Sequence, residues 1–359
     1  MQDQFFKNLK VVEFASVLAG PAVGMFFAEL GAEVIKIENK ATGGDVTRSW
    51  KLPAEAPDAP ISAYFCSVNW GKRHLMLDLN DPAGRQTALD LATAADIVIS
   101  NFKPGSARRL GMDAATLRAR NPCLIYAQMS AFADPEDENP AFDAVLQAEA
   151  GFMYMTGEPG RPPVKMPVAL IDILAAHQLK EAILLALLQR ERSGRGAFVS
   201  VSLMESAIAS LANQATNWLM AGHVPQRMGV QHPNIAPYGD IFTCADAQQL
   251  LLAVGTERQF QHLCRCLELN DLPEHPDYQT NRARVQHRAA LFEVLQRVFL
   301  QKNLDDWLLV LKAGQVPAAQ IRSMPAVFEL PEARAMILEE TAPDGTRTRR
   351  VRTNAFKIS

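Results

Sequence analysis

The sequence lacks the features that mark membrane and secreted proteins. Among its 359 residues, no apolar run approaches the roughly 20 residues that a membrane-spanning helix needs. Residues 1–7 lack the basic and apolar segments of a secretory signal peptide. The net charge is only −3, with both signs interspersed, so no charged surface for a nucleic acid or a membrane is indicated. We therefore expect a cytoplasmic protein that binds neither nucleic acid nor membrane.

Cysteine is scarce and is not spaced for metal binding. The five cysteines are scattered, and the one close pair, Cys264 and Cys266, is separated by a single residue. Zinc sites and redox motifs usually have two residues between paired cysteines, and no second pair lies at such a spacing. The pattern predicts reduced thiols in a cytosolic protein and no metal ion.

Several common catalytic motifs are also missing. No G-x-G-x-x-G follows the first predicted strand, and neither G-x-S-x-G nor H-E-x-x-H occurs. Residues 15–21 (ASVLAGP) stand where the dinucleotide motif would be. Small residues there could admit a phosphate to a helix N-terminus, and they are equally typical of a plain strand–helix turn.

Short apolar segments alternate with helical patterns through the first half of the chain. The predicted strands are residues 10–14, 33–38, 75–79, 96–100, 123–129 and 198–203. This alternation predicts an α/β fold with a doubly wound, Rossmann-like parallel sheet. After residue 221 the pattern changes to a long loop, a hairpin at residues 240–254 and several helices. We predict a large domain at residues 1–221 plus 323–359 and a smaller α+β domain at residues 222–322.

Asp172 is an isolated carboxylate inside the apolar run of residues 167–176 (PVALIDILAA). A carboxylate in such a run must find partners or lose its charge. One interpretation is an N-cap of the long helix predicted to end near Gly194. The other is a nucleophile, because an ionised and poorly hydrated carboxylate suits covalent catalysis. The two interpretations are compatible.

Taken together, eight segments resemble the family III coenzyme A transferases, in the same order along the chain. They are residues 14–21 (FASVLAGP), 30–45 (LGAEVIKIENKATGGD), 69–79 (NWGKRHLMLDL), 100–111 (SNFKPGSARRLG), 142–151 (FDAVLQAEAG), 167–175 (PVALIDILA), 194–203 (GRGAFVSVSL) and 232–242 (HPNIAPYGDIF). This family includes formyl-CoA:oxalate and carnitine CoA transferases and the 2-methylacyl-CoA racemases.

The resemblance implies a fold, an assembly and a set of site residues. The large domain would be Rossmann-like and built from both ends of the chain, and two chains would form an interlocked homodimer. Asp172 occupies the position of the family's catalytic aspartate. The positions that match CoA-binding segments are Val17, Asn39, Lys72, Arg73, Leu75, Asn101, Phe102 and Arg109, together with Phe142 at an aromatic position near the active site. The CoA thioester would be a substrate, with no further cofactor and no metal.

The same resemblance helps to choose between the chemistries of the family. Racemases move an α-proton with a His–Asp pair, and their histidine matches Phe142, which cannot carry a proton. CoA transfer needs only a carboxylate nucleophile and hydrogen-bond donors for the oxyanion. The sequence therefore favours transfer of CoA from an acyl-CoA through an aspartyl-CoA thioester. A racemase and a non-catalytic acyl-CoA-binding protein are the alternatives.

The acceptor is expected to be a small organic acid, with succinyl-CoA as a possible donor. Residues 230–238 do not match the glycine-rich loop of the oxalate enzymes, which argues against oxalate. A dicarboxylate would be held well by a bidentate arginine, for which Arg48 and Arg258 are candidates. Either side chain could equally be a solvated surface charge.

Overall fold

A six-stranded parallel sheet forms the centre of the larger of two compact units. The computed structural model describes residues 4–103, 105–134, 137, 139, 141–341 and 345–358. The larger unit comprises Met1–Phe152, Met166–Ala212 and Pro331–Ser359, and the smaller unit comprises Met153–Lys165 and Asn213–Leu330. The predicted domain boundaries at 222 and 322 stay a prediction.

The secondary structure up to residue 221 alternates as the sequence predicted. In chain order the strands are β1 (Lys10–Glu13), β2 (Glu33–Asn39), β3 (Lys72–Leu77), β4 (Ile97–Ser100), β5 (Ile125–Ser130) and β6 (Phe198–Ser202). The helices are α1 (Ala19–Glu29), α2 (Ala63–Cys66), α3 (Pro82–Thr93), α4 (Ser106–Leu110), α5 (Ala114–Arg120), α6 (Asp143–Glu149), α7 (Phe152–Met155), α8 (Leu170–Ser193), α9 (Leu203–Ala209) and α10 (Ala212–Ala221). Short 3-10 helices lie at Lys40–Thr42 and Val46–Ser49.

The strand order in the sheet is β3-β2-β1-β4-β5-β6, and all neighbours are parallel. The chain moves outward from β1 to β3 and then returns to the centre for β4, so the order reverses between β1 and β4. This is the doubly wound order, and ligands of such sheets bind at the carboxyl ends of the strands at the reversal. The predicted α/β class is confirmed.

Both faces of the parallel sheet are covered, which explains the nearly continuous apolar strands. One face packs against α1 and α8 through a core that includes Val11, Phe27 and Leu179. The opposite face packs against α3 and α5 through residues such as Val98 and Leu117.

Strand β3 begins at Lys72, three residues before the predicted start. Among the strands that the structure describes, it pairs only with β2, and it therefore forms an edge of the sheet. An edge strand tolerates polar side chains, so the polar segment from Lys72 to His74 can pair although it has no apolar pattern.

Helix α8 extends from Leu170 to Ser193, with Gly194 at its C-terminal end in the left-handed conformation. Its N-cap is Ala169, and Asp172 is the third helical residue. The N-cap interpretation of Asp172 is therefore wrong, because the helix begins before it.

The smaller unit contains an antiparallel sheet of order β7-β8-β9, formed by β7 (Tyr238–Thr243), β8 (Gln249–Ala253) and β9 (Ala318–Gln320). Its helices are α11 (Glu257–Cys266), α12 (Asn281–Gln286), α13 (Arg288–Phe299), α14 (Leu304–Ala313) and α15 (Met324–Val327), with a 3-10 helix at Leu272–Glu274. The predicted hairpin is β7–β8. The core of the smaller unit contains Phe242, Phe299 and Trp307.

The C-terminal segment belongs to the larger unit and contains α16 (Pro331–Ala335) and the hairpin β10 (Ile337–Thr341) and β11 (Arg347–Val351). Glu29 of α1 anchors it by accepting hydrogen bonds from Arg350 at 2.7 Å and from the backbone of Thr353 and Asn354. No helix within the described ranges is long and apolar enough to cross a membrane.

Candidate active site

A cavity of about 620 Å³ lies at the carboxyl edge of the parallel sheet, where the strand order reverses. Its walls include Phe14, Ala15 and Ser16 after β1, Ile37, Glu38 and Asn39 of β2, and Asn101, Phe102 and Lys103 after β4. The segment from Thr42 to Ser49 closes another side. The cavity therefore occupies the position at which doubly wound sheets bind nucleotide-like ligands.

The turn between β1 and α1 is held in an unusual conformation beside this cavity. Val17 has φ +75°, a left-handed value that a β-branched residue rarely adopts. The Asp45 carboxylate accepts the Val17 N–H at 3.2 Å, and Asn101 Oδ1 accepts the Ser16 N–H at 3.2 Å. The Asn101 side chain also donates to the Ser16 carbonyl at 3.0 Å. Contacts from two other strand ends thus fix the turn, and Asp45 takes the N–H that a phosphate could otherwise use.

Asp45 is in turn anchored by buried lysine. Lys36 Nζ lies 3.1 Å from Asp45 Oδ2 and 2.9 Å from Glu13 Oε1, and it also donates to the Ala15 carbonyl. Burial alone would lower the pKa of Lys36, but the two carboxylates overcome this effect and raise it. Lys36 therefore stays charged beneath the turn.

Glu38 organises the segment that carries Asp45. Its carboxylate accepts two hydrogen bonds from Arg48, at 2.6 and 2.7 Å, one from the Asp45 N–H at 2.8 Å, and contacts His74 Nδ1 at 2.8 Å. Although burial opposes the shift, these bonds hold the pKa of Glu38 well below its usual range. A Cβ on Gly44 (φ +98°) would lie 2.6 Å from Glu38 Oε2, so this close approach needs glycine.

Asp172 is 7% exposed, and no described residue donates a hydrogen bond to its carboxylate. Burial, followed by the charge of Asp143, raises the pKa of Asp172 to about 7. Asp143 is the first residue of α6, and its Oδ1 accepts the N–H groups of Ile171 at 2.7 Å and Asp172 at 3.4 Å. The Asp172 carboxylate is therefore poorly hydrated and free of structural hydrogen bonds.

Tyr64 of α2 connects Asp172 electrostatically to the cavity. Burial, with the charges of Asp172, Asp143 and Asp45, raises the pKa of Tyr64 to about 12. Because Asp45 lines the cavity, the Tyr64 hydroxyl feels the charges of both the cavity wall and the start of α8. The Trp50 ring contacts the rings of Tyr64, at 5.1 Å between centroids, and Phe142, at 6.4 Å.

The structure brings together part of the predicted CoA-binding set. Asn39, Asn101 and Phe102 line the cavity. Val17 is bonded to the lining residue Asp45, and Arg109 donates at 3.5 Å to the lining residue Ser106. Phe142 precedes Asp143, is 59% exposed and lies beside Trp50.

The predicted contacts on β3 do not line this cavity. The Lys72 ammonium is buried and has Glu13 Oε2, the Pro21 carbonyl and Asn69 Oδ1 within 3.0 Å. Burial lowers the pKa of Lys72 to about 7, but these acceptors favour the charged form, which we assign. Arg73 is exposed, and Leu75 packs against the core beneath α3. Their role as CoA contacts stays a prediction.

Sequence reasoning did not identify Asp45, Asp143 or Glu38 as site residues. The Gly-Gly-Asp sequence at residues 43–45 signals a turn, but nothing local shows that its carboxylate reaches Val17. Among the described residues, no group of three or more His, Cys, Asp or Glu side chains could hold a metal ion. The expected absence of a cofactor remains a prediction.

Comparison with known proteins extends over the whole chain. The sequence profile described as "CoA-transferase family III" matches residues 6–359. The chain is 38% identical to a succinate–glutarate CoA-transferase of Agrobacterium fabrum, over 96% of this chain and 88% of the relative. It is 33% identical to a succinyl-CoA:mesaconate CoA-transferase of Haloarcula hispanica, over 90% and 82% of the two chains.

A solved structure agrees with this similarity. A CAIB/BAIF family protein from Brucella suis superposes with a TM-score of 0.84 at 38% identity, covering 100% of this chain and 93% of that one. The fold, the cavity at the sheet reversal and the similarity of sequence along the chain point to one conclusion. The chain belongs to CoA-transferase family III, and it transfers CoA between acyl-CoA thioesters and carboxylic acids.

Proposed function

We propose that Asp172 is the nucleophile of the transfer and that an aspartyl-CoA thioester is the intermediate. The observation that carries this proposal is a buried carboxylate that no described residue binds. Structural carboxylates in this protein, such as Glu38 and Asp45, have several donors each. A nucleophile must instead keep its oxygen lone pairs available to the substrate.

The reaction then needs no net proton transfer. An Asp172 oxygen attacks the thioester carbonyl, the C–S bond breaks, and an aspartyl anhydride and CoA thiolate form. The thiolate attacks the aspartyl carbonyl, which gives the aspartyl-CoA thioester and releases the first acid as its carboxylate. The acceptor carboxylate then attacks the aspartyl carbonyl and displaces the CoA thiolate, which forms a second anhydride. The thiolate attacks the acceptor carbonyl of this anhydride, which gives the new acyl-CoA and free Asp172. Exclusion of water protects the thioester from hydrolysis, and the apolar start of α8 supports that requirement.

The cavity at the sheet reversal is the proposed site for the CoA moiety. Asn39, Asn101 and Phe102 are in place on its walls, and Lys103 supplies a cation there. Arg109 lies next to Ser106, which lines the same cavity. These side chains offer hydrogen bonds and positive charge to phosphate groups.

We further propose succinyl-CoA as donor and a small dicarboxylic acid as acceptor. The names of two relatives support this choice, because one pairs succinate with glutarate and the other pairs succinyl-CoA with mesaconate. Arg48 is a poor candidate for the acceptor clamp, because its Nε and Nη2 already form a bidentate pair with Glu38. Arg258 is exposed on α11 and remains available.

Trapping the intermediate tests the nucleophile. The enzyme is incubated with succinyl-CoA, treated with hydroxylamine, and digested for mass spectrometry. We expect a hydroxamate at Asp172 and no transfer by Asp172→Asn. Glu181→Gln, which changes an exposed carboxylate of the same helix, should retain both label and activity. A hydroxamate on another residue, or full activity in Asp172→Asn, would refute the assignment.

A competition experiment tests the substrate class. Succinyl-CoA is supplied with an equimolar pool of mono- and dicarboxylic acids, and the new thioesters are identified. We expect the CoA thioesters of dicarboxylic acids, of the glutaryl or mesaconyl type, to form faster than those of the monocarboxylic acids. Exclusive use of monocarboxylic acids would contradict the dicarboxylate proposal, and CoA binding without any exchange would favour a binding protein.

We also propose that the protein works as a homodimer in a reducing, cytoplasmic compartment. In the larger unit α8 exposes Leu184, Leu185 and Leu188 on one face, by 40%, 68% and 50%. Helix α10 exposes Trp218, Leu219 and Met220. Apolar groups of this size are typical of protein interfaces. All five cysteines are free thiols, which supports the reducing compartment.

A further inference from the structure

We propose that Asp143 is a positioning residue of the transfer reaction: it caps α8 from outside the helix and holds a second carboxylate beside Asp172, whose repulsion is relieved when Asp172 is acylated. This inference rests on Asp172 being the nucleophile.

The N-terminus of α8 receives its hydrogen-bond acceptor from another helix. The first N–H groups of a helix lack acceptors within the helix, and the methyl side chain of Ala169 at the N-cap cannot accept a hydrogen bond from them. Asp143 Oδ1 supplies the acceptor, at 2.7 Å from the Ile171 nitrogen and 3.4 Å from the Asp172 nitrogen. The cap is thus provided by α6, and the Asp172 side chain is spared that role.

Hydrogen bonds fix the orientation of the Asp143 carboxylate. Its other oxygen, Oδ2, accepts a hydrogen bond from Gln147 Nε2 at 2.5 Å, one helical turn later on α6. Gln147 Oε1 accepts the Met166 N–H at 2.8 Å, so the segment leading to α8 is tied to the same pair. Asp143 and Gln147 are 9% and 1% exposed. Both carboxylate oxygens are committed, and the side chain cannot turn away from Asp172.

The charge of Asp143 acts on Asp172 without a neutralising cation. Within the described ranges, neither Asp143 nor Asp172 forms a salt bridge, and the charges of both act on Tyr64, whose raised pKa keeps it neutral. Burial and the Asp143 charge raise the pKa of Asp172 to about 7, and a carboxylate of higher proton affinity is the stronger nucleophile.

Acylation removes this repulsion. When the Asp172 oxygen bonds to the thioester carbon, the electron pair of the broken C–S bond leaves on the CoA thiolate. Asp172 becomes a neutral anhydride and then a neutral thioester, whereas Asp143 keeps its charge and its cap. The charge of Asp143 thus favours the covalent intermediates over the free enzyme.

Asp143→Asn tests the inference, because the amide oxygen can still accept the Ile171 N–H while the charge is lost. Two quantities are measured: the pH dependence of kcat and the fraction of enzyme trapped as the Asp172 hydroxamate. We expect the acidic limb of the profile to move to lower pH by about one unit, and the trapped fraction to fall correspondingly, up to tenfold. Glu149→Gln, an exposed carboxylate on the same helix, should change neither.

The possible failures are distinguishable. An unchanged pH limb and an unchanged trapped fraction in Asp143→Asn would overturn the positioning role, while inactive Asp172→Asn would still support the nucleophile. Active Asp172→Asn would refute the nucleophile itself.

The new amide N–H₂ of Asp143→Asn faces Gln147 Nε2, so this variant carries a risk of misfolding. The wild-type protein, labelled with ¹³C at the aspartate carboxyls, provides the second measurement: Asp172 should titrate near 7, and titration near ~3.9 would overturn the inference.

Discussion

At the scale of single residues, Asp172 illustrates how a buried carboxylate without hydrogen-bond donors among the described residues lowers stability. Its pKa in the folded protein, about 7, lies above the ordinary aspartate value of ~3.9 that the unfolded chain has. A raised carboxylate pKa means that the folded state binds the proton more tightly than the unfolded state does. Its contribution to stability is therefore full below about pH 4 and is lost as the pH rises to 7.

We accordingly predict that Asp172→Asn stabilises the protein in a pH-dependent manner. The gain in the free energy of unfolding should be small near pH 4 and should grow to an upper limit of about 4 kcal/mol above pH 7, at about 1.4 kcal/mol per pH unit. Urea unfolding at pH 5 and pH 8 measures it. The exposed-residue variant Glu181→Gln serves as the control, and an equal effect of Asp172→Asn at both pH values would contradict the electrostatic origin.

Phe142 is the residue from which we predict that the protein does not racemise its substrate. Its ring is 59% exposed beside Trp50 and has no group that exchanges a proton. We predict that 2-methylacyl-CoA incubated in heavy water shows no deuterium incorporation at C2 under conditions that permit complete CoA transfer. Exchange at a rate comparable with transfer would restore the racemase alternative, and Phe142→His tests whether a base at this position introduces exchange.

At the scale of elements, α1 depends on a glycine in its interior. A Cβ on Gly24 would lie 1.9 Å from Glu13 Oε2, which accepts a hydrogen bond from Lys72 Nζ at 2.8 Å. The carboxylate is fully buried, so it cannot move aside without breaking its ion pairs. Packing of α1 against β1 thus requires glycine where helix propensity favours alanine.

Gly24→Ala should therefore destabilise the protein by about 1–3 kcal/mol, although the same change in an open helix stabilises it by about 1 kcal/mol. Chemical denaturation gives the sign directly. Glu13→Asp retracts the carboxylate by one methylene and should recover part of the loss in the double variant. A net gain in stability from Gly24→Ala would show that the clash is not real.

At the scale of the whole molecule, the exposed leucines of α8 predict self-association. Light scattering should give twice the 39.5 kDa mass of the chain. Leu185, at 68% exposure, is the sharpest probe: Leu185→Glu should lower the mass, whereas Leu185→Met should not. A monomer in the wild type at micromolar concentration would refute the dimer.

Interlocking is a separate prediction with its own test. Two threaded chains cannot exchange unless one of them unfolds. Tagged and untagged dimers that are mixed in native buffer should therefore form no mixed dimers. Mixed dimers should appear only after denaturation and refolding, and rapid exchange without denaturant would indicate an ordinary interface.

The sequence by itself determined the architecture, because apolar periodicity is a local property. The strands of the parallel sheet, the β7–β8 hairpin and the helix ending at Gly194 all follow from spacing within about ten residues. The sequence also singled out Asp172, because a carboxylate in an apolar run is visible without a structure. The start of β3 was misplaced, since its tolerance of polar residues depends on its position at the sheet edge.

Only the tertiary structure decided how the site residues are held. Asp45 reaches the Val17 turn across 28 residues, and Asp143 reaches the start of α8 across the same separation. Neither contact has a local pattern, because each depends on how the sheet and its helices bring distant segments together. For the same reason Arg48 could be proposed as a substrate clamp from the sequence, whereas its pairing with Glu38 is set by the neighbouring ends of folded elements.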